Sequence, residues 1–153
     1  MASSDALVGF EGFAYFNSAT YGSPTWVAMP NVKDCKVPLS KDEADVSIRG
    51  GGGWKAVRGA LKGTSIDFGM QYRKSSGALP ADVQKMLDAW LNDDIVNMLF
   101  LDGPEGTVGS QGLRAWMEVL KFERDEPLNG AMVANVSVAP GLAANPPEWY
   151  EET

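Results

Sequence analysis

The chain has 153 residues, 44% of them hydrophobic, with Gly 17, Pro 9, a single cysteine and no histidine. That length supports one domain with its own apolar core and many turns, and 20 acidic against 13 basic residues leave a formal charge of -7, which disfavours adhesion to nucleic acid or anionic membranes. With no histidine and only Cys35, an internal disulfide, a Cys/His zinc cluster and the Ser-His-Asp or Cys-His nucleophile arrangements are all excluded.

No apolar run reaches the about 18 residues of a membrane span, and Met1-Ala-Ser-Ser-Asp lacks the basic region of a secretory leader. A soluble protein made where it works is the expectation. Residues 6–16, ALVGFEGFAYF, are apolar and aromatic with one charge, Glu11, and suit a strand or an interaction arm better than a helix. TWVAMP follows a Gly-Ser-Pro turn as a short second strand, and a third starts at about Val32 with its wetter side unlike its drier one. In DEADVSIRGGGGW, Asp45, Ser47 and Arg49 project one way and Val46 and Ile48 the other, which reads as a half-buried strand ending in Gly50 to Gly53.

Past the glycines a weak strand runs from Trp54 to Lys62. The cleanest alternation comes next: Thr64, Ile66, Phe68, Met70 and Tyr72 form an apolar face opposite Ser65, Asp67, Gly69, Gln71 and Arg73. A helix is expected from Ala81 to about Leu91, opened by proline, with Val83, Met86, Leu87 and Trp90 inward; the aspartates at its end sit badly with the helix dipole. DIVNMLFLDG is a strand, and so is Gly112 to Glu123, with Trp116, Leu120 and Phe122 on one face and Leu113, Ala115, Met117 and Val119 on the other. Apolar residues on both faces imply that something covers both, and copies of the same chain are one possible cover. AMVANVSVAP makes the last strand, with Ala134, Val136 and Val138 opposite Val133, Asn135 and Ser137, and residues 140–153 read as an extended acidic tail.

Motifs for chemistry are missing. Gly50 to Gly53 lack the Gly-Lys-Ser/Thr of a phosphate loop and the spaced glycines of a dinucleotide fold. Asp42, Glu43 and Asp45, or Asp93 and Asp94, do not follow a calcium-loop pattern and are better explained as solvated surface. Trp26, Trp54, Trp90, Trp116 and Trp149 suit core and subunit contacts better than a ligand platform. The residues describe a non-enzymatic, self-associating protein without cofactor or metal.

Residues 31–72, together with DGPEGTVGSQGLRAWMEVLKFERDEPLNGAMVANVSVAP, resemble the tail tube (major tail) proteins of long, non-contractile-tailed bacteriophages over about two thirds of the chain. The resemblance implies a mainly β fold, a β-sandwich or partly open β-barrel of antiparallel strands flanked by one helix, in a single domain over residues 1–153. It also implies hexameric rings stacked into a hollow tail tube that conducts double-stranded DNA into the host without binding it specifically. Carried onto this sequence, the inter-ring loop is about residues 40–54, with Asp42, Asp45, Arg49, Gly50, Gly51, Gly52, Gly53 and Trp54, and the arms are about residues 1–7 and 140–153.

Asp45, Asp67 and Glu118 are the candidate lumen carboxylates, and Phe10, Phe13, Phe16, Trp116 and Trp149 the candidate subunit contacts. Implied partners are further copies of the chain, a tape-measure protein in the lumen, distal tail or baseplate proteins and a tail terminator, with no membrane. Implied localisation is the virion tail, after assembly in the host bacterial cytoplasm. Two other readings fit the residues: a single-ring head-tail connector or tail terminator, and a soluble carbohydrate-binding β-sandwich module, which would display an exposed row of aromatics.

Overall fold

A computed structural model of the chain describes residues 13–74 and 76–153. The arm expected over residues 1–7 and Phe10 lie outside them. Ten strands and one helix follow in the order β1 (Phe13–Asn17), β2 (Trp26–Ala28), β3 (Val32–Lys36), β4 (Ser40–Asp45), β5 (Val57–Gly63), β6 (Ile66–Gln71), α1 (Ala81–Asn92), β7 (Ile95–Leu101), β8 (Gln111–Asp125), β9 (Val133–Pro140) and β10 (Glu148–Glu151). Among the described residues, eight strands form one antiparallel sheet, ordered β2-β1-β7-β8-β9-β6-β3 with β10 added to β8, while β4 and β5 pair only with each other. This is the mainly β, partly open architecture with one flanking helix expected from the resemblance.

The sheet curls without closing. Three strand spacings separate β6 from β7, roughly 14 Å in a flat sheet, yet the Phe68 and Phe100 rings lie 6.2 Å apart, centroid to centroid. The concave side holds the core, in which Ile66, Met70, Met98, Met117, Val136 and Val138 are fully buried. Here the alternations of β6 and β9 turn inward as the sequence requires.

Helix α1 closes the core through Val83, Met86 and Ala89. Its inward face is rotated from the expected one: Leu87 is half-buried, and Trp90 is exposed. Asp82 anchors the first turn, its carboxylate accepting the Asn31 backbone N–H at 3.1 Å and the Asn31 side-chain amide at 2.8 Å. At the other end Asp93 takes a left-handed conformation (φ 55) and its N–H caps Ala89 O. Aspartate tolerates that conformation better than most side chains, which explains an acidic residue where the dipole alone disfavours it.

Strand β8 departs from the expected alternation. Val119 pairs with Val138 but Lys121 pairs with Ser137, so Leu120 is an extra residue on β8. Such a bulge resets the side-chain parity. Phe122 therefore packs against the core on the same side as Val119, while Leu120 is left 58% exposed. The subunit itself covers part of the outer face of the first half of β8: Tyr21, from the loop between β1 and β2, stacks on Trp116 at 6.2 Å.

The C-terminal segment is likewise not simply an extended tail. β10 pairs with β8 from Glu148↔Arg114 to Glu151↔Gln111, and Glu152 adds two backbone hydrogen bonds, donating to Ser110 O and accepting from Gly109 N.

Gly112 is where β7 and β8 approach without room for a side chain, since a Cβ there would lie 1.5 Å from Phe100 O. Gly112→Ala is expected to cost about 3 kcal/mol or more, at the upper end of overpacking. Gly63→Ala, with nothing within 4 Å of the added carbon, should change stability by less than about 0.5 kcal/mol; urea denaturation of the two variants checks the contrast.

Candidate functional site

Residues 40–63 leave the body of the molecule as a hairpin. The register runs from Ser40↔Gly63 to Asp45↔Val57 with an irregularity between Lys41 and Glu43, and Val46 N–H continues it to Ala56 O at 3.0 Å. Ser47 fastens the far end, its Oγ accepting from Ala56 N–H at 2.7 Å. Asp45 accepts from the Ser47 N–H at 2.9 Å, and these bonds to Ser47 hold its carboxyl below the usual range. A single 3-10 turn, Arg49–Gly51, then reverses the chain.

Only Gly52 and Gly53 of the four glycines occupy the left-handed region, at φ 69 and 84. Gly50 and Gly51 serve differently: the carbons their substitution would add would reach only Ile48 within 4 Å, so the turn is a thin strip of backbone.

The expected half-buried strand before the glycines is not half-buried. Every residue of β4 and β5 is exposed, including Val57 and Leu61; beyond β4, Val46 and Ile48 are exposed as well, and Trp54 reaches 83%. Alternation is preserved, but the described residues supply nothing to cover the apolar side. Charge is uneven along the hairpin: Asp42, Glu43 and Asp45 with Lys41 on the first arm, Arg49 at the tip, and Lys55, Arg58 and Lys62 on the return. Among the described residues none of them forms an ion pair. A two-stranded ribbon with no packed face is marginal alone.

At the root of the hairpin lies a groove of about 930 Å³, where β3 faces β1 and β10 across the opening of the sheet. Phe13, Met29, Val32, Val37, Leu113 and Trp149 give it an apolar lining. Trp149, 56% exposed, is oriented by its Nε1–H donating to Gln111 Oε1 at 2.9 Å. Cys35 is exposed as a residue, but burial of its thiol in this lining pushes its pKa up to about 11.

Behind β10, on the opposite sheet face, Arg114 is buried with its guanidinium 3.8 Å from the Tyr21 ring centroid. Its Nη2 donates to Tyr21 O at 2.7 Å, and Nη1 lies 3.6 Å from Glu148. The Tyr150 hydroxyl donates to Glu152 at 2.7 Å; burial first, then that bond and the nearby carboxylates, push the phenol up to about 12.

The candidate carboxylates separate into two places. Asp67 and Glu118 share the polar sheet face, since Asp67 pairs with Ser137 and Glu118 with Ala139, two residues along the same strand. The Ser137 hydroxyl donates to Asp67. Lys36, opposite Asp67, and Lys121, opposite Ser137, interleave positive charge on that face. Asp45 belongs to the hairpin instead. Of the candidate contact aromatics, Phe13 (39% exposed) and Trp149 are at the surface, Trp116 is half-buried against Tyr21, and Phe16 is buried in the core.

Sequence reasoning missed the groove and the exposed Val57, Leu61, Trp90 and Leu91. Trp54, Trp90 and Trp149 sit on the hairpin, the helix and β10, on three separate elements rather than as a row on one sheet face. No cluster of three or more metal-ligating side chains occurs among the described residues.

The fold is thus a curled antiparallel sheet with one helix on its concave side and a projecting two-stranded hairpin, and solved structures share it. The chain matches the tail of an empty gene transfer agent particle, solved with C6 symmetry, at TM-score 0.69 and 12% identity, over 97% of this chain and 100% of that one. It matches the SPP1 tail tube at TM-score 0.69 and 11% identity, over 88% and 75%. It also matches the anti-feeding prophage cap, a tube-terminating cap, at TM-score 0.64 and 9% identity, over 99% and 95%. No protein-family model matches the chain, and no curated protein matches it by sequence.

With the Cys35 pKa near 11, its thiolate fraction at pH 8 is far below that of an ordinary thiol. Labelling by an aromatic disulfide reagent is expected to be about a hundredfold slower in the folded chain than in denaturant; equal rates would mean that the groove does not shield the thiol.

Proposed function

We propose that this chain is the repeating subunit of a tail tube: one domain that forms hexameric rings, which stack into a hollow conduit for double-stranded DNA. The observation that carries the reading is the hairpin of residues 40–63, an ordered ribbon that exposes Val46, Ile48, Trp54, Val57 and Leu61 and has no cover among the described residues of its own subunit. The fold shared with the gene transfer agent tail and the SPP1 tail tube supports it. The chain acts as a structural component of a virion tail and not as an enzyme.

In this reading lateral contacts use the sheet's two ends. β2 pairs only with β1, and β3 only with β6, among the described residues. Free edges of this kind invite pairing with another chain, and a β2-side surface meeting a β3-side surface is a heterologous contact that closes into a ring when the rotation allows. Phe13, Trp149 and the arms add to subunit contacts, and the hairpin, with Asp42, Asp45, Arg49 and Gly50 to Trp54, joins one ring to the next.

The polar face bearing Asp67 and Glu118 lines the lumen, with the helix outside. Six copies of -7 put about -42 on each ring, which limits adhesion of the duplex and favours sliding. Lys36 and Lys121 make the lining itself mixed rather than uniformly acidic. A tape-measure protein in the lumen and baseplate, distal tail and terminator proteins at the ends complete the assembly, which forms in the bacterial cytoplasm. The likeness to a tube-terminating cap supports a second reading, a single-ring terminator.

Replacement of residues 46–56 by Asn-Gly separates these readings. The segment is exposed throughout, so folding stability is expected to stay within about 1 kcal/mol. Electron microscopy should find tubes with the intact chain and single rings with the shortened one. Tubes from both would overturn the hairpin's axial role, and intact protein that never stacks would favour the terminator.

A further inference from the structure

We propose that the groove at the root of the hairpin is the socket for the hairpin tip of a second copy of this chain, with Ile48 and Trp54 entering between β3 and Trp149. The proposal rests on the inter-ring reading of the hairpin and adds the surface that receives it.

Geometry separates tip from socket. Cys35 and Val37 line the groove and lead directly into the hairpin at Ser40. Ile48 and Trp54 are about eight strand residues further out, roughly 26 Å at the rise of an extended strand. Hydrogen bonding is maintained from Ser40 and Gly63 out to Val46 and Ala56, so the tip is held away from its own groove. A tip that fits only another copy's root makes a head-to-tail contact, which leaves one tip and one socket open after every addition. This is the symmetry an open-ended stack requires.

Shape and charge agree. Ile48 is 73% and Trp54 83% exposed, and the strip of glycines between them brings no other side chain than that of Arg49. The tip is thus a narrow apolar plug, and a groove of about 930 Å³ with an apolar lining has the capacity of a drug-sized binding site. Between Val46 and Val57 the hairpin carries Arg49 and Lys55 and no carboxylate, within a chain of net charge -7. The groove carries Asp102 against one cation, Lys33, and Glu151 lies on the Trp149 side of β10, two residues along the strand. A basic plug meeting an acidic-rimmed apolar socket fixes register and disfavours contact of two tips.

The test uses the full chain with Cys35→Ser, Val37→Cys in the socket and Gly51→Cys at the tip, which leaves Ile48 and Trp54 in place. Assembled protein is treated with a short bis-maleimide and run on a denaturing gel. Because each chain carries one thiol of each kind, the expected result is a ladder of dimers, trimers and higher species, while a mixture of the two single-cysteine variants stops at dimers. Dimers formed equally by the Gly51→Cys variant alone would mean tip-to-tip contact and overturn the proposal. A ladder that appears only after removal of residues 1–12 would give the groove to that segment and also overturn it.

Stacked rings without a ladder would sink the socket while leaving the inter-ring reading intact; intact chain that forms no stacks would sink both. A charge exchange guards against poor assembly of the cysteine variants: Arg49→Glu with Lys55→Glu should abolish stacking, and addition of Asp102→Lys with Glu151→Lys should restore it. Failure of that restoration in variants that still form rings would contradict the pairing.

Discussion

The constraint on which the structure depends is that one fifteen-residue strand, β8, must serve three neighbours. Its first half pairs with β7 on one side and β10 on the other, and its second half pairs with β9. A strand that long cannot keep one straight register against a strongly curled sheet, and the extra residue at Leu120 relieves the mismatch while adding twist. Core residues on both sides of the bulge, Val119 and Phe122, then face the same interior. The polar face beyond, with Asp67, Glu118, Lys121 and Ser137, stays open to solvent.

The two halves of β8 therefore have different surroundings. Around the first half, the subunit covers its own outer face with Tyr21, Trp26 and Tyr150 around the buried Arg114 guanidinium. That covering docks β10 and places Trp149 on the concave side, at the mouth of the groove. The hairpin is the opposite case. It projects an apolar tip that nothing among the described residues buries, and it grows from the strand that forms one wall of that groove. The molecule thus has a completed interior and a ribbon left exposed, with tip and root unlike each other.

Much of this was legible in the residues. The alternations of β6 and β9 point inward as read, and the helix forms where its proline and apolar spacing put it. Three features were not legible, each for a physical reason. The bulge at Leu120 carries no glycine or proline to mark it, so a continuous alternation was the natural reading of β8. β10 is four residues, Glu-Trp-Tyr-Glu, in a proline-rich acidic stretch, and its pairing depends on the free edge of β8 rather than on local propensity. In the hairpin, Val46 and Ile48 alternate with polar neighbours as any half-buried strand does, and periodicity does not say which molecule covers them. The role proposed for those residues came from resemblance, and their full exposure came from the structure.

On the proposed inter-ring role, the hairpin acquires its buried environment only from another copy. Amide hydrogen exchange across residues 40–63, followed in the isolated subunit and in concentrated assembled protein, tests it most directly. The account predicts fast exchange at the tip in the subunit and strong protection on assembly, together with slowed exchange along β3 and β10. Tip amides that exchange equally fast in both states, in a sample where the rings have stacked, would contradict it.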